Sequence, residues 1–365
     1  MTLSEVLKLE PFSLSDSAKE KLLTPLVHEM ARWHYKNSFE FKRICKTYEF
    51  NVHSNFLISN LPFLPVSLFK KFDLLSVPKK DIIRTLFSSS TSGHPSKIYL
   101  DRTTSNNQIV ALQRILMNFF GNVRRHFIIF DSEETVKSAD GTLTSRNTAI
   151  RGLLGLAKKI DFILDKDLNF DFQKLEKIFS GIKKNDYVCF FGFTWLVYNL
   201  FRDYQGDESL RVLFRKLKSS DKFFLHIGGW KKLQDLEISG DQFNKMIGGV
   251  VGVPTSRVVD FYGMTEQLGT VYLDCREGFK HVPIYSDLII RDMESTLPSS
   301  LGETGLMQFI SPIPKSYPGI SILSEDIGRI IGVDNCGCKR LGKYFVFEKR
   351  ADFAEVRGCG DTIKI

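Results

Sequence analysis

From about Asp81 onward the chain alternates short apolar, β-rich runs with stretches of helical period, and this alternation constrains the fold more than any other feature. Four runs carry it: His126-Phe-Ile-Ile-Phe130, Asp186-Tyr-Val-Cys-Phe-Phe191, Phe223-Phe-Leu-His-Ile227 and Arg257-Val-Val-Asp-Phe261. Near-continuous apolar strands separated by helices are the pattern of βα units around mainly parallel sheets, because such strands must be covered on both faces. The expected class is therefore α/β. The first 60 residues read as helical, with Leu22, Leu23, Leu26, Val27, Met30 and Ala31 at helical spacing. Ser17-Ala-Lys-Glu20 has the spacing of a capping box, and Pro25 marks a start or kink. From about Ile284 strands follow without clear helices between them, which predicts a small β-rich subdomain.

At 365 residues the chain has room for two domains, or for one large α/β domain with subdomains. Hydrophobic residues at 43% and charged residues at 25% are those of a soluble globular protein, so the 31 Phe are the one oddity and predict an aromatic core. The net charge of +8 suits anionic ligands such as nucleotides or coenzyme A. Lys70-Lys71, Lys79-Lys80 and Lys183-Lys184 are not interleaved with aromatics, so no nucleic acid is expected as a partner. The N-terminus lacks a basic region followed by an apolar stretch, and no window approaches the roughly 18 apolar residues that span a bilayer. A cytoplasmic protein with no transmembrane segment is expected. Six irregularly spaced cysteines read as free thiols of a reducing compartment. Cys336-Gly-Cys338 resembles half a metal site, but neither a second pair nor a His pair sits at zinc spacing, so no metal is expected there.

Two segments point to chemistry. In Arg84 to Asp101, strand-like residues flank a loop of hydroxyls, Ser88, Ser89, Ser90, Thr91 and Ser92, closed by Gly93, with Lys97 just beyond. Small side chains, backbone N–H groups and hydroxyls in such a loop can wrap a triphosphate. It is no Walker loop, since the Gly-Lys-Ser/Thr spacing is absent and a strand follows. The second segment is Asp260-Phe-Tyr-Gly-Met-Thr-Glu266, directly after an apolar strand, where α/β sheets bind ligands. Tyr262 can stack on a purine, Gly263 lets backbone approach, Thr265 can donate to a phosphate oxygen and Glu266 can hold Mg²⁺.

Together these segments resemble the adenylate-forming superfamily of acyl-CoA synthetases, luciferases and peptide-synthetase adenylation domains. The resemblance runs in order through the Ser88 to Gly93 loop, Gly228-Gly229-Trp230 at the adenine-pocket glycines and Tyr262-Gly-Met-Thr-Glu266 at the core motif. It continues through Gly302-Glu-Thr-Gly-Leu306 and then Asp326-Ile-Gly-Arg329, whose aspartate would bind the ribose hydroxyls. Within the superfamily the chain is most similar to the LuxE-type acyl-protein synthetases, with phenylacetate-CoA ligases more distant. That likeness includes Leu61-Pro-Phe-Leu-Pro-Val-Ser-Leu-Phe-Lys70, Phe191-Gly-Phe-Thr-Trp-Leu-Val-Tyr198 and the ending Glu355-Val-Arg-Gly-Cys359.

The resemblance implies the large N-terminal domain of the adenylate-forming fold, with the C-terminal domain largely missing. It implies ATP and Mg²⁺ as cofactors, a carboxylic acid, in this family a fatty acid, as substrate, and Cys359 as the thiol that carries the acyl group to a partner acyl-CoA reductase or other acceptor protein. Thiolate is the nucleophile, and Arg357 or Lys364 would raise its fraction at Cys359. The expected division is a helical segment over residues 1–80, a nucleotide- and acyl-binding α/β core over 81–283, and a β-rich subdomain with the acceptor tail over 284–365. Two departures stand out. Ser90 occupies a position that is usually glycine in the family's loop, and the chain ends soon after Lys349-Arg-Ala-Asp352, before the C-terminal domain whose lysine reaches the acyl phosphate in larger members. Lys97 or Arg350 would supply the compensating cation. A phenylacetate-type CoA ligase and a non-catalytic subunit of an acyl-transfer or reductase complex are the competing readings.

Overall fold

A computed structural model describes residues 1–88, 95–135, 145–204, 206–229 and 238–351. In chain order the strands are β1 (Leu64–Pro65), β2 (Ile82–Phe87), β3 (Lys97–Asp101), β4 (Arg125–Phe130), β5 (Ala157–Phe162), β6 (Tyr187–Phe193) and β7 (Asp221–Ile227). They continue with β8 (Val258–Tyr262), β9 (Tyr272–Leu273), β10 (Lys280–His281), β11 (Asp287–Arg291), β12 (Gly305–Ile310), β13 (Ser321–Val333) and β14 (Lys343–Arg350). Two compact units divide the described chain, one holding Met1–Phe119 with the residues from Gly263 onward, the other Phe120–Tyr262.

Phe120–Tyr262 builds a parallel sheet in the order β5-β4-β6-β7-β8. Every residue of β4 is buried, and β6 is buried from Val188 to Phe193, as expected of strands covered on both faces. The helices Phe172–Ser180, Thr194–Asp203, Glu208–Lys216 and Gly240–Val251 alternate with these strands. Much of the phenylalanine content lies here: Phe130 meets Phe170, Phe190, Phe201, Phe214 and Phe224 at centroid separations of 5.2 to 6.4 Å. These spacings are those of favourable aromatic pairs. Phe190, Phe191 and Phe193 are fully buried members of this core.

In the other unit an antiparallel sheet runs β10-β14-β13-β12-β11, with β1 adding in parallel to β13. The β2–β3 hairpin stands as a separate two-stranded sheet, and β3 is the strand expected after the hydroxyl loop. The long N-terminal helix is Asp16–Asn37, and it differs from expectation at its start. Its N-cap is Ser15, whose hydroxyl accepts from Ala18 N, so Ser17-Ala-Lys-Glu20 lies inside the helix and forms no capping box. The helix also runs through Pro25 without ending. An interior proline costs about 3 kcal/mol, and the buried face of Leu23, Leu26, Val27 and Ala31 offsets that locally unfavourable residue. The same unit buries an ion triad, with Lys19 Nζ and Lys343 Nζ each 2.9 Å from a different oxygen of Asp287.

Candidate active site

In the parallel sheet the strand register sets the first group of candidate residues. His226 on β7 pairs with Asp260 on β8, and Ile227 with Phe261, so the turn at Gly228 and Gly229 and the side chain of Tyr262 leave adjacent strands at the same carboxyl edge. Gly228 adopts φ +88°, a conformation that costs a residue with a Cβ, and no atom of the described residues lies within 4 Å of where a Cβ on Gly229 would sit. Tyr262 is half-buried. Beneath the turn, His226 Nδ1 lies 3.0 Å from Thr194 Oγ1 and 3.6 Å from Asp260 Oδ1. This polar group at the strand ends was not singled out in the sequence. Its only signal there is a histidine within an apolar strand two residues before a glycine pair.

The second group belongs to the other unit. Thr265–Gln267 form a single 3₁₀ turn just after Gly263, with Thr265 half-buried and Glu266 4% exposed. Gln267 fixes the turn by donating its amide to the carbonyls of Gly319 at 3.1 Å and Phe309 at 3.3 Å. Gly269, at φ +88°, packs so closely on the helix Arg102–Phe120 that an added Cβ would lie 2.6 Å from Gln108 Cα. Gln108 in turn donates to the Tyr317 hydroxyl at 3.2 Å. Burial, and after it the Glu266 carboxylate, pushes the Tyr317 phenol well above its ordinary pKa. Gln108 and Tyr317, 209 positions apart, carry no motif that would have marked them.

Glu266 decides whether the site suits a cation. Its Oε1 is buried with no hydrogen-bond partner among the described residues. A buried carboxylate oxygen left unpaired is costly, and a hard divalent cation with oxygen ligands satisfies it. Glu266 therefore fits Mg²⁺, and the half-buried Thr265 hydroxyl beside it fits a phosphate oxygen.

Asp326 lies on β13 opposite Arg350 on β14, and Arg350 Nε donates to Asp326 Oδ1 at 3.2 Å. The β-bulge between Ile327 and Gly328 follows directly. At the base of the hydroxyl loop Ser88 N donates to Ser96 O at 3.0 Å and Ser96 N to Ser88 Oγ at 2.8 Å, which ties the two ends of the loop together. Lys97 opens β3 and pairs with Asp73 at 3.3 Å, half-exposed. Ser89, Ser90, Thr91, Ser92, Gly93, Trp230, Arg357, Cys359 and Lys364 lie outside the described residues. No helix among the described residues is long and apolar enough to cross a membrane.

Residues 3–364 match the family described as "Acyl-protein synthetase, LuxE". The long-chain-fatty-acid–luciferin-component ligase of Aliivibrio fischeri is 26% identical over 330 residues, covering 87% of this chain and 82% of that protein. The ligase of the same name from Vibrio harveyi is 24% identical over 355 residues, covering 96% and 89%. Among solved structures, an open conformation of 2-hydroxyisobutyryl-CoA ligase in complex with 2-HIB-AMP and CoA aligns with a TM-score of 0.71 at 13% identity. That alignment covers 94% of this chain and 77% of the other. The postadenylation state of the same ligase gives a TM-score of 0.72, covering 93% and 69%. At such identity the likeness is one of fold, and it agrees with the adenylate-forming α/β architecture expected from the motifs.

Proposed function

This chain belongs to the LuxE acyl-protein synthetase family, and from that premise we propose that it activates a carboxylic acid, a fatty acid in our reading, as an acyl-adenylate and passes the acyl group to a protein thiol. The observation that carries the proposal is Glu266, a buried carboxylate with an unpartnered oxygen inside the one motif that matches the adenylate-forming core most fully.

The roles follow the motif order. The adenine lies against Tyr262 and the Gly228-Gly229 turn, Asp326 accepts from the ribose hydroxyls, and the loop of Ser88, Ser89, Ser90, Thr91, Ser92 and Gly93 takes the phosphates. Arg350 holds the Asp326 carboxylate in place, as its hydrogen bond at 3.2 Å supports. Thr265 orients the α-phosphate, and Glu266 holds Mg²⁺, which supplies compensation for phosphate charge. Lys97 stands at the loop's exit and offers the further cation at the phosphates. The substrate carboxylate oxygen attacks the α-phosphorus, the bond to the β-phosphate oxygen breaks, and pyrophosphate leaves. The Cys359 thiolate then attacks the acyl carbon, the bond to AMP breaks, and a thioester remains. The thiol proton passes to solvent. A partner such as an acyl-CoA reductase would take the acyl group from that thioester.

Pyrophosphate release on addition of ATP, Mg²⁺ and a series of carboxylic acids tests the first half-reaction. Formation of free acyl-CoA when coenzyme A is added would favour a phenylacetate-type CoA ligase, and absence of pyrophosphate with every acid would favour a non-catalytic subunit.

A further inference from the structure

The thiols read from sequence as unconnected are in part gathered in one place. Cys275, His281, Cys336 and Cys338 each offer a ligand atom, and these four atoms lie within 4.8 Å of one another. Cys275 Sγ is 3.8 Å from Cys336 Sγ, and Cys338 Sγ is 3.2 Å from His281 Nε2. Two thiolates each about 2.3 Å from a tetrahedral zinc are about 3.8 Å apart, and a thiolate and an imidazole nitrogen on the same ion about 3.6 Å. A disulfide would hold its sulfurs at about 2.05 Å, far from the separation here.

Two turns present the ligands. Cys275 heads the tight turn after β9, where Gly278 at φ +77° lets Gly278 N donate to Cys275 O at 2.9 Å and Cys275 N to Phe279 O at 2.8 Å. That turn delivers His281 on β10, which pairs with Tyr344 on β14. Cys336 and Cys338 sit in the β13–β14 connection, where Lys339 N donates to Cys336 O at 3.0 Å and Arg340 N reaches Cys338 Sγ at 3.5 Å. A backbone amide aimed at a sulfur stabilises the thiolate form. Phe279, Ile331, Phe119 and Tyr344 pack around the cluster and exclude water.

We infer that Cys275, His281, Cys336 and Cys338 form a closed tetrahedral zinc site that fastens the β9–β10 turn to the β13–β14 turn. Three sulfurs and one imidazole nitrogen are a zinc donor set, and four protein ligands leave no open position, so the ion is structural. The inference does not rest on the acyl-transfer reading.

The test is the metal content of the purified full chain by mass spectrometry of the elements, with thiol titration and the absorption spectrum after exchange to Co²⁺. Wild type is expected to hold about one zinc per chain, to release it when a mercurial titrates the thiols, and to show thiolate-to-cobalt charge-transfer bands of a tetrahedral site. The Cys336→Ser/Cys338→Ser protein is expected to fall below about a tenth of that zinc, while Cys45→Ala, at a buried cysteine elsewhere in the same unit, keeps it. Should the double variant fail to fold, the wild-type titration and cobalt spectrum still decide. A folded wild type that lacks zinc and takes up neither added Zn²⁺ nor Co²⁺ would overturn the inference, as would a Cys275–Cys336 disulfide found by peptide mapping.

Discussion

Asp326 and Arg350 face each other across the β13–β14 pair, and the Arg350 Nε–H bonds to Asp326 Oδ1 at 3.2 Å. One carboxylate oxygen is thereby held in place. If Asp326 binds the ribose, Asp326→Asn loses a charge-assisted hydrogen bond worth about 1.5–3 kcal/mol. KM for ATP should then rise by roughly tenfold to a hundredfold with a smaller change in kcat, read from pyrophosphate release against ATP concentration. An unchanged KM would remove Asp326 from the nucleotide site.

Glu266 carries an unusual pair of expectations, because a buried carboxylate oxygen with no hydrogen-bond partner among the described residues is unfavourable in the protein alone and useful only with a cation. Glu266→Gln should leave the melting temperature without ATP unchanged or higher. Adenylation should fall by about 10²- to 10³-fold, as for the loss of one charge-stabilising group. A variant with lower stability and full activity would show that Glu266 has only a structural role.

His34 sets a stability change with pH. It is fully buried, with Nδ1 2.8 Å from Ser76 Oγ and Nε2 3.0 Å from Pro314 O. Burial lowers its pKa from 6.5 to about 3, against the opposing pull of the Pro314 carbonyl. Between those values the unfolded chain binds a proton that the folded chain refuses. The stability from neutral His34 is therefore complete above pH 6.5 and is lost as pH falls, at about 1.4 kcal/mol per unit. Urea unfolding at pH 7.5 and pH 5 should show that loss, and His34→Gln should flatten it.

Asp287 adds a second acid-sensitive element that sets in near pH 4. Burial alone would raise its pKa, but Lys19 and Lys343 outweigh burial and hold the carboxyl below the usual carboxylate range. Its contribution is present above the unfolded value near 4 and disappears as pH falls further. At pH 7, Asp287→Asn leaves the Lys343 ammonium without this carboxylate and Lys19, 2% exposed, with Asp16 at 3.2 Å. The expected cost is about 3–5 kcal/mol of unfolding free energy, and Lys19→Met in the same chain should recover part of it.

The parallel strands were legible because each is a nearly unbroken buried run: His126–Phe130, for example, falls within β4, Arg125–Phe130. The Tyr262 to Glu266 and Asp326 motifs were legible from residue type and order. What the sequence hid depends on contacts distant along the chain. Cys275 and Cys336 are 61 positions apart, and Gln108 and Tyr317 are 209, so local spacing could not link them. That the helix does not start at Pro25 has a related reason, since the local penalty is set against a buried helix face that only packing defines.

The most direct test of acyl transfer is the intact mass of the protein after incubation with ATP, Mg²⁺ and fatty acids without coenzyme A, for wild type and Cys359→Ala. The predicted result is an ATP-dependent, hydroxylamine-labile acyl adduct on the wild type that the variant lacks. Pyrophosphate release without any adduct on the wild type, or an equal adduct on Cys359→Ala, would contradict transfer to that thiol.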